Sequence, residues 1–304
     1  MSWSIPSKLN TLLVFGVFLS QNLLLVLGNY LGGFSCFLCA ILFSFLFLTN
    51  YALMHEGSHR MLHKNHSVND ALGLITGIFF PASFTLMRVT HIVHHCCNRT
   101  DHEMFDYYYK GDRIWLKYLQ WYSILFGLFW LIIPLGSVIV GFWRSILLTK
   151  PFKSSRSSSV LFDDFSSSDI RRVRIEVLVT LSYFSILVLM MNISWVTFAV
   201  FYACSAFNWS TRQYITHAWS VRNVMDGAHN LKVSKLHQLF LLNGNWDLVH
   251  HNHPDAPWLY LPILGIKSKK PISSWYQYLS LWKGPKLTTE RTPEPLSVLP
   301  TNLH

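Results

Sequence analysis

The chain has 304 residues, of which 51% are hydrophobic, 15% aromatic and only 13% charged, with a mean hydropathy of +0.29. Charge is far below the soluble average of about 25%, which excludes an ordinary soluble enzyme and points to an all-α integral membrane protein. The formal net charge of +10 suits anionic headgroups and an acidic partner, and it equally follows from the bias of Lys and Arg toward cytoplasmic loops. The basic residues are scattered among apolar segments, so no nucleic-acid surface is expected.

No Lys, Arg, Asp or Glu occurs over 9–55, 118–143 or 177–211. A crossing helix needs about 20 apolar residues. The first stretch holds two, near 9–28 and 34–54, turning at Gly28-Asn29-Tyr30-Leu31-Gly32-Gly33. It lacks a small-residue cleavage site and a second apolar run follows at once, so it reads as a span rather than a signal peptide. Helix continuing out of the second span carries His55 and His59, an i,i+4 pair on one face. Residues 71–87 are apolar but short and contain Pro81, which predicts an interfacial segment. His91, His94 and His95 follow at i, i+3 and i+4, again on one helix face. The 26 uncharged residues of 118–143 surround Pro134-Leu135-Gly136. They are long for one crossing and short for two, and a re-entrant hairpin is expected.

Lys150 to Asp169 is Ser-rich and reads as a flexible linker. The third uncharged stretch predicts two shorter spans, near 176–191 and 195–210, turning at Asn192-Ile193-Ser194. Four spans are expected, with six as the alternative. The basic residues then place both termini and every histidine cluster on the cytoplasmic side. A last cluster, Asp247-Leu248-Val249-His250-His251, repeats the earlier spacing with a carboxylate in first place. Tyr260 to Gly284 mixes aromatics with Lys267, Lys269 and Lys270 and reads as an amphipathic surface segment. One domain is expected over 1–283. The segment 284–304 carries four of the twelve prolines and is expected to be disordered.

The five cysteines, Cys36, Cys39, Cys96, Cys97 and Cys204, are an odd number and suggest reduced thiols. Asn65, Asn98, Asn192 and Asn208 open Asn-x-Ser/Thr triplets, which are frequent by chance and lie mostly in spans or on the cytoplasmic side.

Imidazole is the commonest protein ligand for transition metals. Eight or nine aligned ligands are too many for one ion and suggest two. His55-Glu56-Gly57-Ser58-His59 also fits the zinc-protease pattern, but that chemistry takes one further ligand, not six more histidines. A haem carrier would place axial histidines inside the spans and leave most of these unused. A transporter would want ionisable groups at bilayer depth, and the spans hold none. Neither a flavin nor a nucleotide loop is visible.

The ordered boxes HxxxH, HxxHH and xxxHH, the last followed by Pro254-Asp255-Ala256-Pro257-Trp258, resemble those of the membrane fatty acid desaturase superfamily. That superfamily includes acyl desaturases, acyl hydroxylases, carotenoid ketolases and, more distantly, alkane monooxygenases. The resemblance covers about residues 30 to 260. It implies two iron ions, a four-span fold, O2, a long apolar lipid substrate, and a separate electron donor such as a ferredoxin or cytochrome b5-like protein. It matches His55, His59, His91, His94, His95, His250 and His251 to metal ligands, and His217 to an additional ligand upstream of the last box. That box ordinarily opens with His or Gln. Asp247 stands there instead, as an iron ligand or as a group that orients a ligand. Other groups that could orient imidazoles are Gln213, Asn243, Asp101 and Glu103. Trp209, Trp219 and Trp246 either line a lipid tunnel or form an interfacial belt. Desaturation of an acyl chain leads among the reactions, ahead of hydroxylation and ketolation.

Overall fold

The computed structural model describes residues 3–149 and 165–297. Most of the Ser-rich linker, 150–164, and the last residues, 298–304, lie outside the described residues.

Helices α1 (Ser7–Leu31) and α2 (Gly33–Ser58) form an antiparallel pair. The expected six-residue turn is a single residue, Gly32, at φ +64°, a value that glycine reaches without steric cost. Gly33, which starts α2, also has positive φ. Leu12, Leu19 and Leu23 of α1 are exposed, as lipid-facing residues must be, whereas α2 is the central helix, burying Ala40, Phe43, Phe47, Leu53 and Met54. Helices α3 (His66–Phe79) and α4 (Phe84–Cys97) meet at 99° across the break that contains Pro81. Asn65 caps α3 by accepting from the Ser67 and Val68 backbone N–H groups.

The uncharged stretch 118–143 is also broken. Helix α5 (Ile114–Leu125) leads through a 3-10 turn at Leu128–Leu131 into α6 (Ile133–Phe142), with a bend of 81°. Gly127, at φ +74°, makes the break. A Cβ there would stand 3.1 Å from the Ala206 backbone, so only glycine lets the bend approach so closely.

Helix α7 (Ser167–Met191) opens on a capping box between Ser166 and Asp169, satisfying backbone donors at both positions. Asn192, in the left-handed region, closes it, and Ser194 caps α8 (Trp195–Gln213). By length and apolarity α1, α2 and α7 can each cross a membrane, and counting each bent pair as one span raises the number to five. Helix α8, expected as the fourth span, falls short of that apolarity. Its last turns carry Asn208, Ser210, Thr211, Arg212 and Gln213, yet it packs along α2.

The remainder caps one end of these helices. It contains α9 (Lys235–Phe240), α10 (Asp247–Asn252), α11 (Leu261–Gly265) and α12 (Ser274–Leu281). Two short parallel ladders join β1 (Tyr107–Tyr108) to β4 (Lys286–Leu287) and β2 (Leu231–Lys232) to β3 (Ile272–Ser273). The tail, expected to be disordered, makes defined contacts over its described part. Beyond β4, Thr292 Oγ1 accepts from the Asp101 N–H and Leu296 donates its N–H to Cys96 O at the end of α4. Each tail contact joins residues far apart in sequence, which composition does not reveal.

Two contacts hold the start of α4. Ser137 Oγ accepts from the Ser83 N–H at 2.8 Å. Glu176 of α7, buried, accepts from Thr85 N at 2.8 Å and from Thr85 Oγ1 at 2.6 Å. A carboxylate at a helix N-terminus meets both unpaired donors and the positive end of the dipole. Glu176→Ala should therefore destabilise the fold by about 1–3 kcal/mol, with Glu176→Gln keeping part of the loss. Thermal unfolding in detergent checks this, and an unchanged midpoint for Glu176→Ala would contradict it.

Candidate metal centre

Three helix ends converge at the cap. His55 lies in the last turn of α2, His94 and His95 in the last turn of α4, and His250 and His251 in the last turn of α10. Helix C-termini carry partial negative charge, which favours a cation in front of them.

The histidines divide into two groups. His55, His59, His91, His95 and His250 have ring atoms within 4.8 Å of one another, and so do His94, His217 and His251. The neighbours His94 and His95 therefore part company, as do His250 and His251. The groups adjoin, with the His95 and His251 rings 4.5 Å apart.

Within the first group, Nε2 of His91 lies 2.9 Å from Nε2 of His59 and 3.1 Å from Nε2 of His95, which is 3.0 Å from Nε2 of His250. Burial, then neighbouring imidazoles, holds His59 and His250 well below the ordinary imidazole range, so both are neutral. Two nitrogens bound at right angles to one ion at about 2.1 Å stand about 3.0 Å apart, so the spacing suits a shared cation.

In the second group one ring nitrogen of His94 and one of His217 are already committed. Nδ1 of His94 meets the Glu103 carboxylate and Nδ1 of His217 donates to Gly227 O at 3.0 Å, which leaves Nε2 of each to face inward. This is the arrangement that fixes the tautomer of a metal-binding imidazole. Burial would raise the Glu103 carboxyl, but His94 beside it holds it below its ordinary value. Burial brings His217 down to about 3 and His251 well below the usual range.

Asp247, the first residue of α10, lies against this second group. Its Oδ2 is 3.1 Å from Nε2 of His217, without hydrogen-bond geometry, and is buried with no donor among the described residues. Burial pushes its carboxyl up, and a hydrogen bond from the Thr216 side chain partly offsets that. An unpaired carboxylate oxygen beside an inward imidazole fits a cation between them.

The remaining residues singled out from sequence sit elsewhere. Asp101 accepts from Arg222 at 2.7 Å and from the Tyr109 hydroxyl at 2.9 Å. Asn243 donates to Trp258 O, accepting from Gln238. Gln213 is exposed at the end of α8. Glu56, between the first two histidines, accepts from Trp258 N and so ties α2 to the last box. Trp209 packs edge-on against Tyr51, which neighbours His55. Trp219 lies under Lys286, and Trp246 sits over Gly265.

Sequence reasoning missed the brace behind His217. Arg99, 1% exposed, pairs with fully buried Asp106 at 2.8 Å and also donates to Tyr214 Oη and Ser220 O. Asp106 accepts from Trp219 N at 2.6 Å. The loop 214–220 is thereby clamped to the chain that follows His95. The sequence signal was Arg99 itself, a lone cation in the polar run after the second box.

The fatty acid desaturase family model matches residues 29–272. The chain belongs to the fatty acid desaturase family. No curated protein matches it. This desaturase-family chain is an oxidoreductase of that superfamily, and its apolar helices are those of a membrane protein.

Removing one partner of a buried ion pair leaves the other charge uncompensated and costs about 3–5 kcal/mol. Arg99→Met and Asp106→Leu should each destabilise the desaturase-family fold by that order, and the double variant by less than their sum. A double-mutant cycle of chemical unfolding checks this. Simple additivity would contradict a direct coupling.

Proposed function

We propose that the chain is an O2-dependent, two-iron enzyme that desaturates the acyl chain of a membrane lipid. The division of eight histidines into two adjoining groups, within a chain of the desaturase family, is the observation that carries this reading. His55, His59, His91, His95 and His250 would hold one iron. His94, His217, His251 and Asp247 would hold the other. The bound irons would supply the O2 reduction and hydrogen removal from an unactivated C–H bond that no side-chain acid or base performs.

The protein's own residues prepare that chemistry. Burial keeps His59, His217, His250 and His251 neutral, the form that binds metal without proton release. Glu103 and Gly227 O fix the rings of His94 and His217. Asp247 lowers the net charge of the second site by one relative to imidazole. Tyr51, Phe80 and Trp209, packed in sequence beside His55, form an apolar wall that keeps water from the reacting carbons. An acyl chain would run along this wall between α2 and α8.

Desaturation balances as loss of two hydrogen atoms from adjacent carbons, with O2 reduced to two waters by those hydrogens and by two electrons and two protons from outside. A separate reductant is therefore required, and the basic chain suits an acidic ferredoxin or cytochrome b5-like protein. By the distribution of Lys and Arg, the metal centre and both termini face the cytoplasm.

The test is mass spectrometry of lipids from a host producing this chain, against His94→Ala. A product lighter by two hydrogens, absent from the variant, is expected. A product heavier by one oxygen would move the reading to hydroxylation or ketolation. Lipids identical to the variant's, from iron-loaded protein given both donors, would contradict it. Asp247→His should retain metal while changing the rate or the product. Loss of all metal from this variant would contradict the assigned place of Asp247.

A further inference from the structure

Between α1, α2, α7 and α8 lies a cavity of about 60 Å3, lined by aromatic residues including Phe43, Phe47, Phe201 and Trp130. It has room for several heavy atoms. It lies beyond the aromatic wall that starts at Tyr51. Phe47 and Phe43 precede His55 on α2 by eight and twelve residues, which at the helical rise is about 12 and 18 Å from the metal centre. An acyl chain reacting at that centre and running along α2 would end here.

The lining is not purely apolar. Ser205 of α8 lines the cavity, is 3% exposed, and its Oγ is buried with no hydrogen-bond partner among the described residues. A helical serine ordinarily bonds the carbonyl one turn back. Ser44 and Ser58 of α2 do so with Ile41 O and Met54 O, and Ser205 does not. Trp130, 1% exposed and lining the same cavity, likewise has its Nε1–H buried without an acceptor. One turn from the cavity residue Leu25, on the buried face of α1, both amide atoms of Gln21 are also unpaired among the described residues. Buried polar groups without partners are rare and costly in apolar surroundings. Indole N–H only donates and a hydroxyl can donate, so an oxygen acceptor in this cavity is the group that either Ser205 or Trp130 lacks. A methyl terminus satisfies neither.

We infer that this cavity is a recognition site for an oxygen function on the remote end of the substrate, so that the preferred lipid carries a hydroxyl, carbonyl or ether there. This rests on the proposed substrate path between α2 and α8, and it makes Ser205 and Trp130 specificity-determining residues.

The test uses the full-length protein in lipid nanodiscs and measures equilibrium binding of methyl octadecanoate and its ω-hydroxy counterpart. One recovered hydrogen bond should make the hydroxylated lipid bind about tenfold more tightly. Ser205→Ala, which removes an unpaired hydroxyl and should not impair folding, is expected to abolish that preference. Trp130→Phe should reduce it. Equal affinity of the wild type for both lipids, failure of both to bind, or a preference that survives both substitutions would overturn the inference. Because the readout is binding, a protein that prefers the hydroxylated lipid yet turns over none would count against the proposed reaction and leave this site standing.

Discussion

Everything else in the structure depends on one electrostatic constraint, the crowding of buried imidazole nitrogens that face one another. Nε2 atoms 2.9, 3.1 and 3.0 Å apart, contributed by α2, α4 and α10, are mutually repulsive as lone pairs and too numerous to be satisfied as donors. A cation at their centre turns that repulsion into coordination. Apolar packing alone does not place polar rings together, so the convergence of the three helix ends on these nitrogens suits a cation.

The surrounding fold keeps those helix ends in place. Ser137 and Glu176 hold the start of α4, and the tail reaches its end through Leu296. Glu56 ties the end of α2 to Trp258. The Arg99–Asp106 pair clamps the loop that brings His217 to the second group. The Ser137–Ser83, Glu176–Thr85 and Arg99–Asp106 contacts are polar and buried, so each is costly to break from one side only. The two groups also differ in charge. The first is all imidazole, and the second has Asp247 beside it with Glu103 behind it, so two ions placed there would not be equivalent.

Much of this was legible in the sequence. Uncharged stretches marked α1 and α2, and the i,i+4 spacing of His55 and His59 placed both on one face. The length of 118–143 around Pro134 anticipated the second bend, whereas 71–87, expected as an interfacial segment, holds the break between α3 and α4. Spacing could not show that His94 and His95 belong to different groups, because it fixes a direction from one helix and not which neighbour lies there. The same limit hid the Arg99–Asp106 brace and the strand pairing of the tail. Helix α8 was legible only in part: absence of charge suggested a plain span, and the sequence could not show that its polar side chains meet other helices, as Asn208 does Ser44.

The central claim is two metal sites with separate ligand sets, and metal stoichiometry tests it most directly. Iron per chain should be measured for the purified protein and for His59→Ala and His217→Ala, each confirmed as folded. Two irons in the parent and one in each variant are what the two groups require. A single iron in the parent, or loss of both from each variant, would contradict two sites that bind separately.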